Sequence, residues 1–546
     1  MADLKVTTSL RRNDDVSKSR FKPYRAPRQH GESLIEPSLA NAESMLRDNQ
    51  QALGSLPSSL QQLRRPAREA LLRDSLKYTR AYRDVDTTDL SSDSIVMAGH
   101  QPTLFHPGVW FKNFALDRVA KLSAATAVNL VVDSDVAHSS AIRVPQLNRS
   151  TGQVQSTSVA FDQHSGGVPY EQSLIEHREL FDSFDARVRD SVQSIVADPL
   201  VDQLWHHARE AIRRCGFAGC ALAQARHALE HDLGLSTLEV PQSVVCRTES
   251  FANFAMQVLC DLPRFHACYN DSADLYRQIH GIRSNAHPVP NLARDGDWFE
   301  APFWLYGNRS AKRQAVWVRY CDGGSAIEIG DRQNRTRKIA NANSESAYEA
   351  LHALQSPEFK LRSRALVTTM YARLVLSDLF LHGIGGGKYD QLGDLISQRY
   401  WDCPTPQMMV LSATVMLPGH ESFAPQLIQQ RQIEVDRQLR DLDFHGESFR
   451  DQADSPEPEL EQWITRKRQL LDDIPPHGQR LQWHREITAI NRQLGESLHE
   501  LRQQLTQERS RLSRREKDAA LFCSREHSFC FYPLPYLQAT YEGMLR

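Results

Sequence analysis

Residues 95–120, IVMAGHQPTLFHPGVWFKNFALDRVA, decide how this chain is read: an apolar strand runs into a Gly-His-Gln-Pro turn, and the turn feeds an amphipathic helix. A buried parallel strand delivers its last residues to one edge of a sheet. The helix that follows starts there with unpaired N–H groups and a partial positive charge. Gly99 lets backbone approach a ligand closely, Pro102 stiffens the turn, and His100, Gln101 and His106 supply donors and acceptors. Open α/β sheets bind ligands outside the carboxyl ends of their strands, which makes this turn a candidate site. The alternative is a tight strand-to-helix connection whose histidines only cap and pack.

The next segment, AVNLVVDSDVAHSSAIRVP at 127–145, sets the apolar run Val128 to Val132 directly before Asp133, Asp135 and His138. Two strand–helix units then converge on one crevice at the same sheet edge. Asp133 comes straight off the strand and is assigned to a substrate amine or hydroxyl. Asp135 reads equally as a second contact or as the N-cap of a following helix.

A chain of 546 residues exceeds what one core usually organises, so several domains or large insertions are expected. A formal charge of −2 and a pI near 6.9 argue against a general nucleic-acid or membrane-surface role. No apolar run approaches the ~20 residues that span a bilayer, and the first residues lack a signal-peptide core, so a cytoplasmic protein is expected. Nine scattered cysteines fit reduced thiols better than a disulfide framework. Neither Cys215 and Cys220 nor the Cys523, His527, Cys530 group forms a convincing metal set.

Along the chain, residues 1–20 read as a disordered tail, with helices over about 38–53 and 58–84 before the sheet begins. The first part of the core spans 21–168, a helical insertion fills 169–235, and the second part of the core with its substrate loops covers 236–422. In YRQIHGIRSNAHPVPNL, at 276–292, a Pro-bounded loop carries Arg283, Asn285 and His287, a donor set suited to an anion. An ordinary loop is the equal alternative. Residues 297–320, DWFEAPFWLYGNRSAKRQAVWVRY, read as a β-hairpin with Glu300, Phe303 and Trp304 ahead of it. Leu366 to Leu381 reads as one apolar helix, broken by Gly383-Ile-Gly-Gly-Gly387 before Lys388 to Tyr400 resumes the helix. The loop's N–H groups, with Gly385, Gly386, Gly387 and Lys388, form a candidate anion site. Neither the Walker ending nor a strand-first dinucleotide fingerprint accompanies it.

From 423 to 515 the composition turns charged and Gln-rich. Val435, Leu439 and Leu442, and Ile487, Leu494 and Leu501 with Ile490, Leu498, Leu505 and Leu512 beside them, form heptad seams. Breaks at 455–459 and 475–478 fold the run into antiparallel coiled-coil arms. The last arm, about 30 residues, would reach roughly 45 Å. Seams of this kind imply a homodimer, or packing within the chain. Residues 516–546 are expected to pack back on the core.

Gly99, Gln101, Leu104-Phe105, Pro107-Gly108 and Lys112 resemble the Gly-Gln-Gln-x-Gly-Leu-(Phe/Leu)-x-Gly-Pro…Lys opening of the bacillithiol biosynthesis cysteine-adding enzymes, the BshC family. The VVDSD run followed by His138 is similar to that family's Glu-Asp-His-Asp strand end. HGIGGGKYD resembles its Ile-Gly-Gly-Pro-x-Glu segment. Here His100 stands for a glutamine, His106 for a threonine, and Lys388 lies near a carboxylate position. The resemblance implies a Rossmann-like parallel-sheet core with helical insertions and a dimerising coiled coil. It implies a ligase that joins cysteine to an amino-sugar conjugate through an amide. A carboxylate does not acylate an amine unaided, so ATP or another nucleotide is implied as the activator, although no counterpart of a Lys-Met-Ser-Lys-Ser loop is present.

On that reading His100, His106 and Asp133 are catalytic, His100 or His106 stabilising charge or moving a proton. Gln101, Lys112, Asp135, His138, the 283–287 loop and the 385–388 loop bind substrate, and no metal is required. The alternative is a non-catalytic small-molecule-binding or scaffold protein that keeps the crevice and the coiled coil.

Overall fold

The computed structural model describes residues 21–148, 150, 153–163, 166–342, 344–452 and 458–546. The tail over 1–20 and part of the break at 455–459 lie outside the described residues. The protein is a mixed α/β structure with many helices around a mostly parallel sheet. That sheet contains β1 (Ser33–Glu36), β2 (Ile95–His100), β3 (Thr126–Val131), β4 (Leu238–Pro241), β5 (Leu379–His382) and β6 (Met408–Ala413). Their spatial order is β1-β6-β5-β2-β3-β4, parallel throughout except for β1, which pairs antiparallel with β6. From β2 the chain moves outward one way to β3 and β4. It then returns to β5 on the other side of β2 and moves the opposite way to β6. The order therefore reverses between β2 and β5.

Apart from the half-buried edge strand β1, these strands are mostly buried and largely apolar. Helix α1 (Ser58–Thr79) packs on one side, and α2 (Pro107–Leu122) carries the chain from β2 to β3. Helix α3 (Ala218–Asp232) leads into β4. Within the region 169–235 it packs on the helix at Val201–Cys215, and polar contacts also tie it to the sheet. Glu230 accepts from Trp110 and Asn113 of α2 at 2.7 Å each, and Arg226 binds both Glu230 and Glu239 of β4. The sequence of the helical insertion expected over 169–235 does not reveal that anchoring. Cys215 and Cys220, expected as separate thiols, are bonded to each other across the turn before α3.

The segment expected as one helix over Leu366–Leu381 divides. A helix at Ala365–Tyr371 and a π-turn at Ala372–Leu376 give way to β5. An apolar run of this length cannot separate helix from buried strand by periodicity alone. Here the buried Asp378 decides it. Its N–H donates to the Ile95 carbonyl at 2.8 Å and its carboxylate accepts the Ile95 N–H at 2.9 Å, locking the start of β5 to the start of β2. Arg68 grips the same carboxylate at 2.8 and 2.6 Å, and Arg64 adds a contact at 3.0 Å. After β5 the glycines open α4 (Ile384–Trp401), so the loop does follow a strand.

A second, antiparallel sheet takes Trp298–Gly307, Ser310–Cys321, Ala326–Gly330, Arg337–Ile339 and Lys360–Ser363. The hairpin at 298–321 belongs to it. The remaining strands carry no comparable alternation and are not read from sequence. The charged C-terminal region forms α5 (Pro425–Phe444), α6 (Pro458–Asp472), α7 (Arg480–Glu496) and α8 (His499–Phe522). Ile428, Val435 and Leu442 of α5 pack against Leu505, Leu512 and Ala519 of α8 together with Leu498. The seam expected to seek a second copy is thus filled within the chain. The last arm is also interrupted, at Ser497-Leu498.

Asp378→Ala would leave the guanidinium of Arg68 buried and unpaired. A loss of about 3–5 kcal/mol, read as a lowered urea midpoint, is expected for breaking a buried pair in this way.

Candidate functional site

The carboxyl ends of β2 and β5 diverge into a cavity of about 760 Å³. Gly99, His100 and Gln101 line it from β2 and its turn, and Ser134 and Asp135 from the end of β3. Phe380 and His382 of β5, with Gly383, Gly385 and Gly386, line the side formed by α4. Trp304 and Arg313 reach it from the antiparallel sheet, and Arg525 and Glu526 from the segment after α8.

The turn after β2 is built as a helix start. His106 is the N-cap of α2, and its Nδ1 accepts the Gly108 N–H at 3.1 Å. The capping alternative thus holds for this ring, although it also lines the cavity. Burial and the nearby Arg525 push its pKa down to about 4. His100 is half-buried, its Nδ1 lies 3.0 Å from the Gln101 carbonyl, and burial with Lys112 close by pushes it down to about 3. Gln101 donates to Asp135 at 3.0 Å, and Arg313 meets the same carboxylate at 3.1 Å. The Arg313 and Arg364 guanidiniums lie 4.8 and 4.1 Å from the Trp304 ring centroid, giving the cavity an aromatic wall held between cations.

Lys112 is 2% exposed, and its ammonium donates to the Gly99 carbonyl. Burial, with Arg226 adding repulsion, depresses it to about 7. His382 is 4% exposed, and its Nε2 lies 2.9 Å from Asp390 Oδ2. Burial lowers the His382 pKa, with Asp390 opposing that shift. Arg525 donates to Ser412 at 2.8 Å, while its buried Nε and Nη1 have no hydrogen-bond partner among the described residues.

Several residues assigned from sequence fall outside this lining. Asp133, read as catalytic, is buried with its carboxylate accepting the N–H and hydroxyl of Ser243. It thereby starts the short helix after β4. Burial and Glu171 raise it to about 7. His138 is exposed, as are Arg283, Asn285 and His287; their loop reaches the cavity through Val289 and Pro290 instead. Gly387 packs on β6, where a Cβ would meet Val410 Cγ2 at 2.4 Å, and Lys388 is half-buried beyond the lining. His527 and Cys530 form local hydrogen bonds with the Leu521 carbonyl and Ser528.

In sequence, His382 and Asp390 are only the two ends of the HGIGGGKYD segment beside the glycines, and Arg313, Arg364 and Arg525 do not stand out. Arg525 carries no local signal, since the chain reaches the cavity only after the whole helical region. For His382 a signal was present, in the eight-residue spacing from strand end to the buried turn of α4.

No known protein-family model matches the chain, and no curated protein matches it. Among the described residues no helix is long and apolar enough to cross a membrane.

The depressed Lys112 has a checkable consequence. Between about 7 and its ordinary 10.5 the unfolded chain binds more protons at this residue than the folded one, so its contribution makes stability rise with pH across that window. Lys112→Met is expected to compare best with the wild type below pH 7. The wild type should gain on it towards pH 10, in urea midpoints measured side by side.

Proposed function

We propose that the chain is a BshC-like ligase, forming an amide between an amino acid such as cysteine and an amino-sugar conjugate. Its active site is the cavity between β2 and β5, on a Rossmann-like core with antiparallel coiled-coil arms. The observation that supports this most is the meeting of the glycine-rich start of α4, the desolvated Lys112 and three histidines in one cavity where the strand order reverses.

The lining fits an anionic nucleotide. Gly383 is the N-cap of α4 and has no side chain to satisfy the first N–H groups, and a Cβ on Gly383 or Gly385 would meet nothing within 4 Å. Those N–H groups and Nη1 of Arg525, which has no hydrogen-bond partner among the described residues, would hold phosphate oxygens, while its Nε lies 3.5 Å from the Glu526 carboxylate. A bound nucleotide would supply the phosphoryl or adenylyl group that turns a carboxylate oxygen into a leaving group. The protein's own residues bind, orient and discharge. Arg313, fixed by Asp135 and Trp304, orients an acidic portion of the substrate. Lys112, brought by burial to about 7, gains charge when an anion enters.

Two measurements test the reading. Incubation with amino-sugar conjugates, cysteine or other amino acids, and ATP should yield an amide with AMP or ADP by mass spectrometry. No product across the panel, with saturable binding intact, would overturn it. Gly385→Asp places a carboxylate in open space at a helix start, where it favours the fold. The melting temperature should hold or rise while the KM for nucleotide increases at least tenfold, about 1.4 kcal/mol of lost binding.

A further inference from the structure

We propose that His382 is the general base of this cavity, its Nδ1 taking the proton that the attacking amine loses while Asp390 holds the ring through Nε2. This deepens the ligase reading and rests on it. Three histidines line the cavity, and their surroundings separate them. The Nδ1 of His106 is spent on the Gly108 N–H, and that of His100 on the Gln101 carbonyl. Neither ring is hydrogen-bonded to a carboxylate among the described residues, although Glu526 lies near enough to His106 to favour its charge. His382 is: Asp390 Oδ2 is 2.9 Å from its Nε2.

Asp390 is 2% exposed and is fixed from two further directions, by the Thr369 hydroxyl and by Arg373. Burial opposes its charge, but Arg373 and His382 outweigh that and hold the carboxyl well below the usual range. An ionised acceptor at that distance places the hydrogen of the neutral imidazole on Nε2 and leaves the lone pair on Nδ1. No described residue hydrogen-bonds to Nδ1. It lies 2.7 Å from where a Cβ on Gly386 would sit, so the glycine keeps it open to the cavity. The other charged groups bearing on the ring are Arg373, from the π-turn before β5, and Lys112 of α2, both of which oppose its protonation. The ring therefore rests neutral, ready to accept.

The step balances simply. As the amine nitrogen bonds to the acyl carbon, its proton passes to Nδ1. The bond from that carbon to the activated carboxylate's leaving oxygen breaks, and the electron pair stays on the oxygen. The imidazolium shares its charge with Asp390 until the proton passes to the leaving group or to water.

The test uses the full chain with cysteine, an amino-sugar conjugate acid and ATP. His382→Ala should lower kcat about 10²–10⁴-fold with KM within about threefold, and added imidazole should restore part of the rate. Asp390→Asn should move the acidic limb of the kcat profile to lower pH, because the imidazolium loses its partner charge. Nitrogen NMR of the wild-type ring, which needs no variant to fold, should report hydrogen on Nε2. Hydrogen on Nδ1, an unmoved limb in Asp390→Asn, or His382→Ala keeping more than a tenth of the rate would each overturn the assignment. A wild-type protein without turnover fails the ligase reading itself, and with it this role for His382.

Discussion

The buried carboxylate of Asp378 sets the geometry on which the site depends. It accepts from Ile95, Arg64 and Arg68, while its own carbonyl accepts from Asn49 at 2.8 Å. Four separate pieces of chain are thereby fixed at the amino end of the sheet. With β2 and β5 joined there, they run parallel with Leu379, Phe380 and Leu381 opposite Val96, Met97 and Ala98, and beyond that the helices that follow leave on different sides. The cavity is the gap left by that divergence. A carboxylate far from any ligand thus fixes the spacing of the two strand ends that carry the site.

At the other end of the strands the electrostatics are arranged in the opposite sense. Arg226 is buried between two carboxylates, Glu230 and Glu239, and is held firmly charged. Lys112, close enough to feel it, has only a carbonyl as partner. His100, His106 and His382 are likewise pushed towards neutrality by burial. The cavity holds a set of nitrogen bases whose protonation is suppressed chiefly by burial, against the pull of Asp390 on His382 and of Glu526 on His106. An entering oxyanion offsets that suppression, so its binding and the uptake of protons are coupled.

How much of this was legible depended on whether the signal was local. The strand, turn and helix at 95–122 carry theirs within one window, and β2 and α2 lie where periodicity and the Pro-Gly start put them. The turn after β3 was legible as an edge, but not its assignments. Asp133 and Asp135 sit two residues apart on an extended turn, and which carboxylate faces the cavity is decided by Ser243 and Arg313, more than a hundred residues away. The β5 strand was hidden because four residues beside a helix give no period of their own. The heptads of α5 and α8 announced a seam, but heptad spacing is the same whether the partner helix is in this chain or another. Arg525 was invisible for the plainest reason: nothing in its neighbourhood distinguishes it from any exposed arginine.

The glycine run shows why a motif must be divided before it is given one role. In Gly383-Ile-Gly-Gly-Gly387 the residues face different constraints although they are adjacent. Gly387 is required by packing, since any side chain would enter Val410 of β6. Gly386 is required by a side chain, since a Cβ would sit on the open nitrogen of His382. At Gly383 and Gly385 there is room for more, and nothing in the protein fills it. Close contacts account for Gly386 and Gly387 only, and helix propensity would disfavour a glycine inside α4, such as Gly385, by roughly 1 kcal/mol relative to alanine. What the open pair keeps is an approach to the first N–H groups of α4, which is useful only if something other than the protein comes to meet them.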